Sequence, residues 1–294
     1  MNNNQPIGLI DSGIGGFTVL KELQHRMPEE NIEYLGDSLR MPYGELDNEE
    51  IIAYANSDIR FLEARGVKAI LLACNTVSSM VDSLTARVPL FSIVDAGCQA
   101  TIETVPEGDV GLIATRATVN NNAYPRMLAR LTDKVHFVQQ GTKTLASVIN
   151  NYPEEIELLR THIHLAIDPL ITERDIHVLL LGCTHFPIVR ESIEAMYPQF
   201  TIINPAIKQI AILKDYLSKN GELTDQKGIG DTRIHTTGSV ADFRIFADMV
   251  DYLDIDCERL ERNTLDIDAN RKVPAESYKR RKKKKIEAIE ALSE

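Results

Sequence analysis

The chain has 294 residues, of which 44% are hydrophobic and 26% are charged, and its formal net charge is −11 at pH 7. A chain of this size can bury a full core, and two lobes that share one cleft are as expected as one large domain. The acidic balance argues against a nucleic-acid partner, because phosphate backbones are bound by clustered Lys and Arg. Apolar stretches fall short of the roughly 18 residues of a membrane span. The first residues lack the basic and apolar regions of a signal peptide, so we expect a cytoplasmic protein without a membrane partner.

Short apolar segments alternate with helical spacing in the first third of the chain. The first segment runs into Asp11, Ser12 and a glycine-rich turn, and a helical pattern follows. The same order repeats, with strands predicted at 7–10, 32–35, 69–72 and 90–94 and helices at 18–26, 48–64 and 76–84. Such alternation is typical of a parallel sheet with helices on both faces.

The pattern begins again near residue 110. Strands are predicted at 110–114, 135–138, 178–181 and 201–203, helices at 120–131, 153–167, 187–197 and 207–217, and a late edge strand at 233–238 precedes a helix to about residue 252. We therefore predict an α/β fold of two similar lobes, each a mostly parallel sheet flanked by helices, with the active site in the cleft between them. Residues 1–97 and 208–265 are assigned to the first lobe and residues 98–207 to the second.

Residues 266–294 form a basic C-terminal tail that differs from the rest of the chain. Residues 279–285 read Lys-Arg-Arg-Lys-Lys-Lys-Lys, and adjacent like charges repel one another in a compact fold. A solvated helix or a disordered segment is expected, and a basic patch for an anionic surface is the alternative.

Two distant segments have almost the same sequence, Leu71-Leu72-Ala73-Cys74-Asn75-Thr76 and Leu180-Leu181-Gly182-Cys183-Thr184-His185. Each is an apolar strand that ends in a cysteine, and the carboxyl ends of parallel strands are where such sheets bind ligands. A helix that begins there lowers the pKa of a thiol and can bind a carboxylate. Two facing cysteines can remove a proton from one side of a carbon and return one on the other, which is the chemistry that a racemase requires.

Other interpretations of the cysteines stay open. Each cysteine taken alone fits a small buried residue, and Cys98 and Cys257 are interpreted as ordinary thiols. Cys74, Cys183 and His185 are possible zinc ligands, but no Cys-x2-Cys pair of a structural zinc site or of a redox dithiol occurs. We therefore predict no metal.

Two further segments are candidates for substrate binding. The glycines after Asp11 allow a close approach of the backbone to a ligand, although Thr18 stands where the dinucleotide fingerprint requires its third glycine. The alternative is that Asp11 caps the next helix. The loop Pro42-Tyr43-Gly44 offers a ring and backbone N–H groups to a carboxylate, and it is also compatible with an ordinary turn.

Six segments follow one another in an order that is specific to one family and extend over roughly residues 6–255. They are Asp11-Ser12-Gly13-Ile14-Gly15-Gly16, Gly36-Asp37 through Pro42-Tyr43-Gly44, Cys74-Asn75-Thr76, Ala114-Thr115 to Val119 with Tyr124, Gly182-Cys183-Thr184-His185-Phe186-Pro187, and Thr236-Thr237-Gly238. Together they resemble the glutamate racemases, cofactor-independent members of the aspartate/glutamate racemase superfamily.

The resemblance implies a role for each matching residue. Cys183 would take the α-proton of L-glutamate and Cys74 that of D-glutamate, with Asp11 assisting at Cys74 and His185 at Cys183. The implied substrate-binding residues are Asp11, Ser12, Pro42, Tyr43, Gly44, Asn75, Thr76, Thr118, Thr184 and His185. The resemblance also implies that no cofactor is needed, that glutamate is the small-molecule partner, that D-glutamate is supplied for peptidoglycan, and that the protein is a homodimer.

The chain departs from the family pattern at several positions. Asn150 stands where a glutamate commonly supports the second-lobe histidine, and an amide cannot act as that anion. Aspartate or a broader range of amino acids is therefore an alternative substrate class. A noncatalytic amino-acid-binding or regulatory protein is the alternative from another functional class.

Overall fold

The computed structural model describes residues 3–172, 174–250 and 257–259. The strands are β1 (Ile7–Asp11), β2 (Ile32–Gly36), β3 (Ala69–Leu72), β4 (Leu90–Ser92), β5 (Gly108–Thr115), β6 (Val135–Thr142), β7 (Val178–Gly182), β8 (Thr201–Ile203), β9 (Thr232–Thr236) and β10 (Cys257–Arg259). They form one sheet in the order β10-β9-β2-β1-β3-β4 and a second in the order β6-β5-β7-β8. All pairings in the described part of the chain are parallel.

Helices connect the strands and cover the sheets. They are α1 (Phe17–Arg26), α2 (Asn48–Ala64), α3 (Asn75–Ser78), α4 (Ile93–Thr104), α5 (Arg116–Asn120), α6 (Ala123–Leu128), α7 (Leu145–Asn151), α8 (Ile156–Thr172), α9 (Arg190–Met196), α10 (Pro205–Lys219) and α11 (Val240–Met249). Short 3-10 helices span Tyr43–Glu45, Val81–Ser83 and Phe186–Val189. The α/β fold with two parallel sheets is confirmed, and the exact lobe boundaries stay a prediction.

Each sheet is buried on both faces, as its continuous apolar strands require. In β3, Leu71 packs into one core cluster while Ile70 and Leu72 pack into another, because successive side chains of a strand point to opposite faces. In β7, Leu180 and Leu181 divide in the same way between the two cores of the second sheet. This packing fixes where the strands end, and so where the loops begin.

The predicted strand at 90–94 is too long at its end. The strand stops at Ser92, whose hydroxyl accepts a hydrogen bond from the Asp95 N–H at 3.2 Å and so caps α4. The apolar pair Ile93 and Val94 belongs to the first turn of that helix. In the sequence, these two adjacent apolar residues look like the end of a buried strand. The Ser92 cap shows that they begin a helix instead.

Two predictions, the basic tail and Cys257 as an ordinary thiol, concern the C-terminal end of the chain. The basic tail lies outside the described residues, and Cys257 lies in β10. Among the helices of the described ranges, none is both long and apolar enough to cross a membrane.

Candidate active site

A cavity of about 770 Å³ lies at the carboxyl ends of strands from both sheets. Its volume is within the range of roughly 300–1,000 Å³ that small-molecule sites occupy. Most of the predicted site residues line it: Ser12, Pro42, Tyr43, Gly44, Cys74, Asn75, Thr76, Cys183, Thr184 and His185. The two cysteine motifs therefore meet at one cavity.

Cys74 follows β3 and stands at the N-cap of α3. Its side chain is buried, and its Sγ lies 3.2 Å from the hydroxyl oxygen of Ser12, which follows β1. Burial, and secondarily the charge of Asp11, raises the pKa of the Cys74 thiol to about 11, although the Ser12 hydroxyl and the Val77 N–H oppose this. The Val77 N–H at the helix start lowers this pKa in the expected direction, but removal of the thiolate from water outweighs the nearby donors, so the net pKa is raised.

Asp11 ends β1 and lies behind the cavity wall, where it is 1% exposed. Its carboxylate accepts a hydrogen bond from the Gly13 N–H at 3.0 Å and another from the Thr184 hydroxyl at 3.2 Å. Burial raises the pKa of Asp11 to about 6. Asp11 therefore joins the turn of the first sheet to the cysteine motif of the second, and it acts on Cys74 through its charge.

Cys183 follows β7 directly and is buried at the cavity wall. Its Sγ lies 3.9 Å from Nδ1 of His185, two residues further along the chain. The His185 ring also meets the Phe246 ring edge-on, with the centroids 5.5 Å apart. The second thiol therefore has an imidazole as its polar neighbour.

The glycine-rich turn allows the two motifs to touch. A Cβ atom at Gly15 would lie 2.6 Å from His185 Nδ1 and would overlap the Thr184 hydroxyl, which no larger residue could avoid without moving them. The Thr18 hydroxyl donates to the Thr184 carbonyl at 2.8 Å. Close packing of the first sheet's turn on the second cysteine motif explains this glycine.

Hydroxyl groups of three threonines lie between the sheets on the other side of the site. Thr76 Oγ1 is 3.4 Å from Thr115 Oγ1, which is in turn 3.0 Å from Thr118 Oγ1. Thr115 lines the cavity, whereas Thr118 is fully buried behind it. The sequence predicted Thr118 as a binding residue and gave Thr115 only as part of a motif, although Thr115 ends β5, where a ligand site is expected.

Tyr43 and its loop line the cavity, and the Tyr43 hydroxyl lies in a buried cluster of charged side chains. The hydroxyl donates to Asp37 and lies 3.5 Å from Asp58 Oδ2. Arg40 is 3.0 Å from the Asp37 carboxylate, which also accepts from the Thr237 hydroxyl at 2.6 Å. Burial and the neighbouring Asp37 raise the pKa of Asp58 well above its ordinary value. Sequence reasoning missed this cluster, because its members come from separate loops and a helix.

Another wall of the cavity comes from α7 and α11. Asn150 of α7 lines it, and its Nδ2 donates to the Asn151 side chain at 3.2 Å. Ile245 and Phe246 of α11 line it as well. From the sequence, Asn150 was only a departure from the family pattern, and nothing in the sequence distinguishes Ile245 and Phe246 from ordinary apolar residues of a helix. Within the described ranges, no group of three His, Cys, Asp or Glu residues is arranged to hold a metal ion.

Comparison with other sequences identifies the same relatives as the motifs. The family model described as Asp/Glu/Hydantoin racemase matches residues 20–211. A glutamate racemase of Caldanaerobacter subterraneus subsp. tengcongensis is 37% identical over 83% of this chain and 91% of its own length. A glutamate racemase of Lactococcus lactis is 33% identical over 84% of this chain and 92% of its own length.

Solved structures agree with the sequence relatives. A glutamate racemase isoform from Bacillus anthracis has a TM-score of 0.85 and 31% identity, covering 89% of this chain and 99% of its own. The glutamate racemase of Francisella tularensis, solved with D-glutamate, has a TM-score of 0.80 and 30% identity, covering 90% and 99%. With its paired cysteine motifs at one cavity and these similarities over most of its length, the chain belongs to the Asp/Glu/hydantoin racemase family, as an amino-acid racemase of the glutamate racemase group.

Proposed function

We propose that the protein interconverts L-glutamate and D-glutamate without a cofactor, with Cys74 and Cys183 as its two acid/base groups. One observation carries this proposal: the two cysteines follow corresponding strands of the two sheets and line the same cavity. The names of the relatives support glutamate as the substrate.

The proposed reaction moves one proton onto the substrate and one off it. From L-glutamate, the Cys183 thiolate removes the α-proton, and the Cys74 thiol donates its proton to the opposite face of the carbanion. The product is D-glutamate, with Cys183 now a thiol and Cys74 a thiolate. The reverse reaction starts from that state, so no net proton is consumed.

The positive charge of the substrate ammonium group would stabilise the thiolate form of Cys74. A pKa of about 11 keeps Cys74 protonated at neutral pH, which suits its role as the acid in the L-to-D direction. The D-to-L direction requires the thiolate. A substrate ammonium group beside the sulfur lowers the thiol pKa, because an opposite charge stabilises the ionised form.

The polar groups of the cavity wall would bind and polarise the substrate. Asn75, Thr76 and Thr184 offer hydrogen-bond donors beside the two thiols, and the loop of Tyr43 and Gly44 adds backbone N–H groups. Such fixed dipoles stabilise the developing carbanion in a cavity from which water is excluded. His185 would assist proton transfer at Cys183, and Asp11 would favour the protonated form of Cys74.

We extend the proposal to the cellular role. The D-glutamate formed would supply peptidoglycan synthesis, and the protein would work in the cytoplasm as a homodimer. Cys74, Cys98 and Cys183 are thiols, which fits a reducing compartment. Light scattering coupled to size-exclusion chromatography tests whether the protein is a dimer. A molar mass of one chain at the assay concentration would contradict the dimer.

The test of the reaction is incubation of the metal-free protein with L-glutamate in D2O. We expect the optical rotation to fall to zero while the α-proton signal disappears from the NMR spectrum, and we expect L-aspartate to react much more slowly. Binding of glutamate without loss of the α-proton would reject catalysis and favour a binding protein. Faster reaction of L-aspartate would reject glutamate as the preferred substrate.

A further inference from the structure

The hydroxyl of Tyr124 joins the second half of the molecule to a cavity-lining residue of the first. Tyr124 lies in α6 beside the second sheet and is fully buried, and Asn75 begins α3 after the first sheet's β3. The Tyr124 hydroxyl lies 2.7 Å from Asn75 Oδ1. This hydrogen bond reaches the residue directly after Cys74.

Packing determines where the Tyr124 hydroxyl lies. The Phe137 ring of β6 meets the tyrosine ring edge-on at a centroid distance of 5.5 Å. On another side, a Cβ atom at Gly97 would lie 2.8 Å from Tyr124 Cε1 and 3.2 Å from its hydroxyl oxygen, so α4 needs a glycine there. The ring therefore has little freedom to move the hydroxyl away from Asn75.

The hydrogen bond also determines which way the Asn75 amide faces. Burial raises the pKa of Tyr124 well above its ordinary value, so the hydroxyl keeps its proton. A buried hydroxyl needs an acceptor, and Asn75 Oδ1 provides it. The amide nitrogen is then on the other side of the amide group, and in the described part of the chain this buried Nδ2 has no hydrogen-bond partner.

A buried donor without an acceptor at the wall of a binding cavity indicates what a ligand should bring. Asn75 lines the cavity, and Nδ2 is a donor only. A carboxylate oxygen satisfies it, whereas the reversed amide would present Oδ1 and repel the same carboxylate. The orientation of one amide therefore decides between attraction and repulsion of an acidic substrate.

We propose that Tyr124 is a positioning residue that holds the Asn75 amide with its nitrogen available to a carboxylate of the amino-acid substrate. The proposal rests on the proposed function for the identity of that substrate. Tyr124 acts through Asn75, so its contribution belongs to substrate binding and disappears when the Asn75 side chain is removed.

The test is a double-mutant cycle with Tyr124→Phe and Asn75→Ala. Tyr124→Phe keeps the ring and removes the hydrogen bond, and we expect KM for both enantiomers of glutamate to rise about tenfold while kcat changes less than threefold. In the Asn75→Ala background, Tyr124→Phe should add less than about a twofold change in KM. An unchanged KM in the single variant, or an equal rise in both backgrounds, would overturn the proposal.

Two further variants separate positioning from folding. Tyr197→Phe removes another tyrosine hydroxyl, which contacts Asp168 and His164 on α8, and should leave KM unchanged. Asn75→Asp keeps an acceptor for Tyr124 and replaces the amide donor by a carboxylate oxygen. The affinity for D-glutamate, measured by calorimetry, should therefore weaken at least about thirtyfold, while the melting temperature stays within a few degrees. Binding as tight as in the unaltered protein would contradict the proposal even if Tyr124→Phe did not fold. If the unaltered protein binds D-glutamate without racemising it, the proposed function fails, while the binding arm still tests Tyr124.

Discussion

The two halves of the site are built on the same plan but give their cysteines different neighbours. In the first sheet Leu72 pairs with Ile10, and in the second Leu181 pairs with Ile113. Each cysteine comes two residues after its leucine, so the two thiols occupy corresponding positions. The neighbouring strands can therefore be compared residue by residue.

The carboxyl group behind the site is present in one half only. Asp11 ends the strand beside Cys74, whereas Ala114 occupies the corresponding position beside Cys183. A buried carboxylate raises the pKa of Cys74, and a methyl group has no such effect.

The second difference lies two residues after each cysteine. Thr76 follows Cys74 in the first motif, and His185 follows Cys183 in the second. The His185 imidazole lies 3.9 Å from the Cys183 sulfur. The shared backbone plan thus gives one thiol whose pKa is raised by burial and a carboxylate, and one with an imidazole beside it, which fits different roles in the proposed two-base reaction.

Removing either thiol should have the largest effect. We expect Cys74→Ala and Cys183→Ala each to lower racemisation by at least about a thousandfold, because one face of the α-carbon loses its acid/base group. Each variant keeps a thiol on the other face. Cys74→Ala should still exchange the α-proton of L-glutamate in D2O, and Cys183→Ala that of D-glutamate, as followed by NMR.

Cys257→Ser is the control and should racemise glutamate at the rate of the unaltered protein. Exchange of the same enantiomer by both variants would show that the two thiols do not act on opposite faces. Racemisation close to that of the unaltered protein in either variant would remove the two-base mechanism.

His185→Asn should slow proton transfer at Cys183 more than at Cys74. We expect kcat to fall about a hundredfold, in the range of general acid–base effects. The enantiomers have equal free energy, so kcat/KM stays equal in both directions, and the asymmetry appears in isotope effects. With α-deuterated substrates, the isotope effect should become larger from L-glutamate than from D-glutamate.

A surface histidine serves as the control for that comparison. His164→Asn, in α8, should leave both isotope effects as they are. Equal isotope effects in the two directions of the His185 variant would mean that the imidazole does not assist proton transfer at Cys183 more than at Cys74.

Asp11→Asn removes the charge that distinguishes the first half. The pKa of Cys74 should fall below 11 and its alkylation at pH 8 should accelerate severalfold, as measured by mass spectrometry of the labelled peptide. Asp95→Asn, which alters a carboxyl group of α4, should leave Cys74 alkylation unchanged. Slower alkylation of Cys74 in the Asp11 variant would contradict the charge effect.

The same substitution should change how stability depends on pH. The folded-state pKa of Asp11, about 6, lies above its ordinary value of 3.8, so the folded protein holds this proton more tightly. Its contribution to stability is present below pH 3.8 and is lost as the pH rises through 6. Relative to the unaltered protein, Asp11→Asn should therefore gain up to about 3 kcal/mol in free energy of unfolding between pH 4 and pH 7. Urea denaturation at both pH values measures this, and a constant difference would contradict it.

The sequence predicted the features that are repeated or local. The runs that end at Cys74 and Cys183 indicate buried strands by their apolar content, and parallel strands bring their carboxyl ends to one edge, so both thiols could be placed at a ligand site. The resemblance to glutamate racemases was confirmed for the same reason, since its motifs are short and contiguous.

Features that depend on several distant segments could not be predicted. The direction of the Cys74 pKa shift depends on burial and on Asp11, and the helix start alone suggested the opposite direction. The contact between Tyr124 and Asn75 needs the two sheets in place. Phe246 resembles a core residue of α11 until its contact with His185 is known.

The charged cluster behind Tyr43 extends the comparison to the carboxyl groups of the first half. Arg40 can neutralise only one of the two buried carboxyl groups, and Asp37 also accepts hydrogen bonds from Tyr43 and Thr237. Burial raises the pKa of both carboxyl groups, and the charge of Asp37 raises that of Asp58 further, so we expect Asp58 to be the group that keeps a proton.

Replacing each carboxyl group by its amide tests which one is ionised. Asp58→Asn resembles the protonated acid and should change KM for glutamate less than about twofold, whereas Asp37→Asn removes the anion that holds the loop and should raise KM about tenfold. Steady-state kinetics of the two variants side by side measure this difference. If Asp58→Asn were the more damaging variant, the proton would reside on Asp37, and the loop that lines the cavity would be held by the other carboxylate.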